Sequence, residues 1–126
     1  MSAVKTDRIL FVDDDPITLK VTRATLAKAG YEIATSEQPL DALKTMLRRP
    51  PDVLLLDVNM PGMPGDKLAR LLRRNPITKD IRIVFYSGQT EAEMASLVTE
   101  VGALGAIEKT NDGDELLRRL EALIAD

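Results

Sequence analysis

Between two pairs of chain breakers, Pro50-Pro51 and Pro61-Gly62, stands the run Val53-Leu54-Leu55-Leu56-Asp57. Four branched apolar residues are too few for a helix, so the run predicts a strand. It has no polar residue to turn toward water. It must therefore be covered on both faces, the pattern of a central strand in a parallel sheet. A carboxylate at the end of such a strand opens into the crevice where α/β sheets bind ligands. The rest of the chain has to supply the covering layers.

Those layers follow in order. Arg8-Ile9-Leu10-Phe11-Val12 is another short apolar run, and it ends in Asp13-Asp14-Asp15. Pro16 suits the first position of a helix with Asp15 as its cap, and Gly30 suits a stop just past its end. That helix is predicted over residues 16–29, with a periodicity blurred by Thr18, Thr22 and Thr25. Tyr31-Glu32-Ile33-Ala34-Thr35 alternates like a half-covered strand near a sheet edge. The second helix carries Leu40, Leu43 and Leu47 as its apolar stripe and stops before Pro50-Pro51. Residues 58–65 form a loop rich in proline and glycine. A helix over 66–74 then turns Leu68, Leu71 and Leu72 inward and Arg70, Arg73 and Arg74 to water.

Ile81-Arg82-Ile83-Val84-Phe85-Tyr86 reads as a fourth strand, ending in Ser87-Gly88. Thr90 and Glu93 form a capping box for a helix that closes near Gly102. Gly105-Ala106-Ile107-Glu108 is a short fifth strand ending at Lys109. Asn111 is expected to cap the last helix, with Leu116, Leu117, Leu120, Leu123 and Ile124 facing the core. Alternation of this kind demands a parallel sheet with helices on both faces and right-handed crossovers. The expected fold class is α/β: a flavodoxin-like, doubly wound five-stranded sheet of order 2-1-3-4-5 in a single domain over residues 1–126. In that order the first and third strands are neighbours. Asp13, Asp14 and Asp57 would then share one crevice, with Ser87 and Lys109 on its far side.

Composition narrows the chemistry. The chain has no cysteine, which removes disulfides and thiolate catalysis and fits a reducing cytosol. It has no histidine either, which removes ordinary zinc sites and a serine–histidine triad. A net charge of −3 argues against non-specific contact with nucleic acid. The pairs Arg48-Arg49, Arg73-Arg74 and Arg118-Arg119 read as solvated helix faces. No apolar run approaches the roughly 18 residues of a membrane span, and residues 1–7 lack a signal-peptide core. A cytoplasmic location without a membrane partner is the expectation.

Three crowded carboxylates need compensating charge. An oxygen-rich, histidine-free cluster suits Mg²⁺. With Lys109 and the Ser87 hydroxyl, it contains the parts of phosphoryl transfer: a carboxylate nucleophile, a site for a metal, and donors for the phosphoryl oxygens. Singly, each residue has a plainer reading. Asp15 is a helix cap, Asp13-Asp14 a solvated strand end, Asp57 or Ser87-Gly88 a turn, and Lys109 a solvated charge.

Val12-Asp13-Asp14-Asp15-Pro16, Leu56-Asp57-Val58-Asn59-Met60-Pro61-Gly62-Met63-Pro64-Gly65, Tyr86-Ser87-Gly88 and Glu108-Lys109 resemble, in order and spacing, the receiver domains of two-component response regulators. The resemblance implies that Asp57 accepts a phosphoryl group from a phosphohistidine on a histidine kinase or phosphotransfer protein. It implies that Asp14 ligates Mg²⁺ directly, Asp13 through water, and Asn59 through its backbone carbonyl, beside Asp57 itself. Ser87 would bind a phosphoryl oxygen and Lys109 would pair with the phosphate. Asn59 and Gln89 occupy positions that tune the lifetime of the phosphorylated form, here implying seconds to minutes. The output would be a protein target on the face of the fourth helix, fifth strand and fifth helix. Such a switch catalyses only its own phosphorylation and dephosphorylation.

Two positions depart from the family pattern. Thr110 stands where a proline, often after a cis bond, usually follows the lysine. A non-proline cis bond costs about 3–4 kcal/mol, so the Lys109–Thr110 bond is expected to be trans and Lys109 less rigidly held. Ala106 replaces the aromatic residue whose inward swing reports activation in many receivers. Both departures favour a second reading, a pseudo-receiver that binds protein without regulation by phosphate. A third reading, a Mg²⁺-dependent phosphatase, lacks a second acid/base carboxylate, since Asn59 stands two residues past Asp57, and has no room for a cap domain.

Overall fold

The computed structural model describes residues 7–125; the expected lack of a signal-peptide core in residues 1–7 falls almost wholly outside them. Five strands are laid down: β1 (Arg8–Val12), β2 (Glu32–Ser36), β3 (Val53–Leu56), β4 (Arg82–Ser87) and β5 (Gly105–Glu108). Between and after them run α1 (Pro16–Lys28), α2 (Pro39–Arg48), α3 (Gly65–Arg73), α4 (Glu91–Val101) and α5 (Gly113–Ile124). All pairings are parallel and the strand order is β2-β1-β3-β4-β5. The flavodoxin-like, doubly wound arrangement expected from the alternation is the one observed.

Strand pleating sorts the core into two layers. Leu10, Val12, Leu54, Leu56, Ile83 and Phe85 face α2, α3 and α4. Ile9, Phe11, Val53, Leu55, Val84 and Tyr86 face α1 and α5. Every residue of β3 is buried, which explains its unbroken apolar run. Edge strand β2 is half covered, as its alternation predicts.

The helix ends were the most readable local features. Asp15 caps α1 by accepting from the Ile17 N–H at 3.0 Å and the Thr18 hydroxyl at 2.7 Å. The Thr90–Glu93 capping box is complete, and Gly102 ends α4 with φ of 65°. The cap of α5 is a correction. It is Asp112, not Asn111, that accepts from the N–H groups of Asp114 and Glu115.

Helix faces needed more revision. On α2 the buried residues are Pro39, Ala42 and Met46, while Leu40 lies 59% exposed. The leucines share the right spacing, but the packed stripe is rotated by one residue, onto side chains that fit closer to the sheet. On α3, Ala69 joins Leu68 and Leu72 in the core and Leu71 stays at its margin. The blurred pattern of α1 has a matching cause: Thr22 is buried, and Ile17 and Val21 face outward.

Arg73 is the clearest departure. Rather than facing water, its guanidinium donates to the carbonyls of Val101 at 2.6 Å, Ile81 at 2.7 Å, Lys79 at 3.0 Å and Gly102 at 3.3 Å. Five fixed donors in one plane let a single side chain tie α3, the α3–β4 loop and the C-terminal end of α4. Removing it leaves several carbonyls short of donors. Arg73→Leu should therefore lower stability by about 2–3 kcal/mol, the worth of charged hydrogen bonds. Equilibrium urea unfolding reads this directly, and a loss under about half a kcal/mol would assign Arg73 to the solvated face after all.

Candidate functional site

The sheet order brings three strand ends together. The Asp57 N–H donates to the Val12 carbonyl at 3.0 Å, extending the β1–β3 ladder by one rung and seating Asp57 beside Asp13. The Lys109 N–H donates to the Ser87 carbonyl at 2.7 Å, which does the same for β4 and β5. Carboxylate oxygens of Asp13, Asp14 and Asp57 all lie within 4.8 Å of one another. Lys109 Nζ reaches across to Asp13 Oδ2 at 2.7 Å and Asp57 Oδ2 at 3.4 Å. The sequence-predicted acids and amine thus face one crevice.

Burial makes this cluster tense. Asp13 is wholly buried and Asp57 is 3% exposed, whereas Asp14 faces solvent. Burial pushes the Asp13 carboxyl above its ordinary range, although Lys109 and the Asp15 N–H pull the other way. Burial also works against the Lys109 ammonium, but Asp13 and Asp57 outweigh it and raise its pKa. Asp13 Oδ1 is satisfied by the Asp15 N–H at 2.9 Å. Oδ2 sits 2.7 Å from the Lys109 ammonium. A set of three crowded carboxylates with no nitrogen ligand fits a hard divalent cation.

A second group of polar side chains lines the opposite wall. Buried Ser87 Oγ accepts from Asn59 Nδ2 at 3.3 Å and the Gln89 N–H at 3.4 Å. Gln89 Nε2 donates to Asn59 Oδ1 at 3.1 Å, joining the two amides across the mouth of the crevice. The Asn59 N–H donates to Asp57 Oδ1 at 3.2 Å. The Lys109–Thr110 bond is trans, as expected. Lys109 is nevertheless held at both ends, by its backbone rung to Ser87 and by the two carboxylates.

Gly65 matters in a way the sequence did not disclose. A Cβ built there would lie 2.0 Å from the Asp57 carbonyl oxygen. The first residue of α3 therefore sits against the backbone of Asp57, and its N–H donates to the Val58 carbonyl at 2.9 Å. Gly65 is visible in the sequence as a loop glycine, but only the fold shows what it would strike.

Two outcomes follow from this geometry. Gly65→Ala must displace backbone rather than a flexible side chain, so it should cost about 1–3 kcal/mol and weaken Mg²⁺ affinity in a calorimetric titration. The raised Asp13 pKa means that ionisation penalises the folded state above the ordinary carboxylate value of 3.8 and stops doing so below it. With divalent cations chelated, Asp13→Asn should stabilise the protein at pH 7, with the gain shrinking as pH falls toward 3.8. Thermal unfolding across that range checks it, and a gain that grew toward acid would reverse the sign.

Comparison with known proteins places this site in a family. Residues 9–121 match the model of the response regulator receiver domain. The chain is 36% identical over 116 residues to the phosphate regulon transcriptional regulatory protein PhoB of Pseudomonas aeruginosa, covering 92% of this chain and 51% of PhoB. It thus spans about half the length of that relative. Its fold superimposes on the chemotaxis response regulator CheY4 of Vibrio cholerae with a TM-score of 0.86, at 29% identity, over 95% of this chain and all of CheY4. It also superimposes on the response regulator TrrA of Thermotoga maritima, solved in complex with Mg²⁺–BeF, with a TM-score of 0.81, at 30% identity, over 94% of this chain and all of TrrA. The match to the family model, over a crevice where three carboxylates meet one lysine, shows that the chain belongs to the receiver domains of two-component response regulators.

Proposed function

We propose that the protein, as a single receiver domain over residues 1–126, is a phosphoacceptor switch in which Asp57 takes a phosphoryl group from a partner's phosphohistidine. The observation that carries this reading is the convergence of Asp13, Asp14 and Asp57 within 4.8 Å of one another, with Lys109 Nζ spanning Asp13 and Asp57. A carboxylate oxygen of Asp57 attacks phosphorus as the P–N bond to the donor imidazole breaks, and the bonding pair leaves on that nitrogen. Lys109 then exchanges its contact with Asp57 for one with the new phosphoryl oxygens, and the Ser87 hydroxyl donates to another. Asp13, Asp14, Asp57 and the Asn59 carbonyl would hold Mg²⁺, which would supply positive charge to offset that of the transferring group. The grouping of three carboxylates, with no nitrogen ligand among them, supports this ligand set. So does the T. maritima regulator, whose similar fold holds Mg²⁺ and BeF.

The transfer is the domain's own modification rather than turnover of a substrate pool. The Asn59 N–H bonds Asp57 and the Gln89 amide bonds Asn59, which supports their role in the lifetime of the modified form. A histidine kinase or phosphotransfer protein is the donor partner, and the setting is cytoplasmic, with no direct contact to nucleic acid or membrane. The output face is that of α4, β5 and α5, where Arg119 of α5 pairs with Glu91 of α4. Ala106 on β5 cannot serve as an aromatic reporter, and the alternative route to α4 that we propose runs through polar contacts. Gln89 beside Ser87, and Glu108, which accepts from the Glu91 N–H at 3.3 Å, are the ones in place.

Incubation with Mg²⁺ and acetyl phosphate, read by intact-protein mass, tests the reading. One phosphoryl adduct should form, fail to form with chelator, and be absent in Asp57→Asn. Measurable Mg²⁺ binding without an adduct would instead identify a protein-binding module with a receiver fold. Turnover of many phosphate esters would identify a phosphatase.

A further inference from the structure

Tyr86 is the residue before Ser87, and its side chain leaves the sheet on the face covered by α1 and α5. Its ring is 2% exposed and meets Phe11 at 5.9 Å between centroids, tilted by 56°. The hydroxyl extends past that packing to the loop after β5. It donates to the Thr110 carbonyl at 3.3 Å and accepts from the Thr110 N–H at 3.4 Å. Burial raises the phenol pKa, so the hydroxyl keeps its proton and remains a donor at neutral pH. A buried hydroxyl is costly unless bonded, and both of these bonds go to one residue.

That residue directly follows Lys109. The last rung of the sheet is the Lys109 N–H to the Ser87 carbonyl, and beyond it the chain has left the ladder. Thr110 and Asn111 border a cleft of about 290 Å³ together with Ile17, Val21 and Thr25 of α1. Past the lysine the chain is held by side chains instead: the Thr110 hydroxyl accepts from the Asp112 N–H at 3.0 Å, and the Tyr86 hydroxyl bonds both peptide groups of Thr110. Thr110 leaves φ free to vary, and it has an N–H that the phenol can hold.

We propose that Tyr86 is a positioning residue for phosphoryl transfer: its hydroxyl grips both peptide groups of Thr110 and thereby aims Lys109 Nζ between Asp13 and Asp57. This rests on the function proposed above. The backbone around Lys109 is then fixed on two sides, by Ser87 before the side chain and by Tyr86 after it. Ser87 and Tyr86 are adjacent on β4, so one strand end determines where the amine points. The competing interpretation is that Tyr86 only fills the core beside Phe11, in which case the ring matters and the oxygen does not.

Tyr86→Phe keeps the ring and removes both contacts, so a double-mutant cycle with Lys109→Met separates the two. Wild type, each single variant and the double variant are phosphorylated with acetyl phosphate and saturating Mg²⁺, with maximal rate and half-saturating donor measured by intact mass. Tyr86→Phe should lower the maximal rate about fivefold, the worth of one net hydrogen bond. In the Lys109→Met background the same change should cost less than about twofold, because the hydroxyl acts through the lysine. Mg²⁺ affinity should be unchanged in Tyr86→Phe. An unaltered rate, or an equal loss in both backgrounds, overturns the proposal. A second readout needs no phosphorylation: the Lys109 ε-carbon NMR signal, identified by its disappearance in Lys109→Met, should shift in Tyr86→Phe. If the wild type takes up no phosphoryl group, the proposed function fails, and this signal alone decides whether the hydroxyl positions the amine: a shift supports it and no shift overturns it.

Discussion

Two buried carboxylates and one ammonium govern this structure. Asp13 and Asp57 lie almost wholly out of water and within a few ångströms of each other, an arrangement that repulsion and desolvation both oppose. Lys109 makes it tolerable by sitting against both, and each acid helps keep the lysine charged despite its own burial. Burial still leaves the Asp13 carboxyl above its ordinary range despite the lysine. A cluster in this condition responds strongly to any added charge. A cation relieves it, and a second anion on Asp57 would redirect the ammonium.

The sheet exists to produce that crowding. The doubly wound order makes β1 and β3 parallel neighbours, so that Asp13 and Asp57 leave adjacent strand ends on the same side of the molecule. The apolar residues of β3, buried without exception, anchor the Asp57 backbone at the centre of the sheet. Gly65 then brings α3 against that backbone from the other side. Helix α4 is secured differently at its two ends. Its C-terminal end is gripped by Arg73 and by the Arg70–Glu100 pair. Its N-terminal end meets the site through longer polar contacts, from Gln89 to Ser87 and from Glu91 to Glu108.

Much of this was legible because it follows local rules. The β3 run announces its two-sided burial, Pro16 and Asp15 announce the start of α1, and Thr90 with Glu93 announces α4. The acids and the lysine were legible as a set because each stands at a strand end. Errors arose where a local rule left two answers. Asn111 and Asp112 can both cap a helix, and the loop geometry selected Asp112. On α2, leucine spacing pointed to one face while the distance to the sheet selected Ala42 and Met46 on the next. Arg73 has the composition of a surface residue and was expected in water, yet the carbonyls of Lys79, Ile81, Val101 and Gly102 come from remote segments that no local pattern displays.

By itself, then, the amino-acid order determined which segments are strands and helices, their sequence along the chain, and which strand tips carry charge. These depend on hydrophobic periodicity and backbone capping, interactions spanning a few residues. Tertiary structure decided the rest: that Lys109 lies 2.7 Å from Asp13, that Gly65 has no room for a methyl group, and that the Tyr86 hydroxyl meets Thr110. Those are contacts between residues far apart in the chain. They are set by how strands pair and helices pack, and no short window of sequence contains both partners.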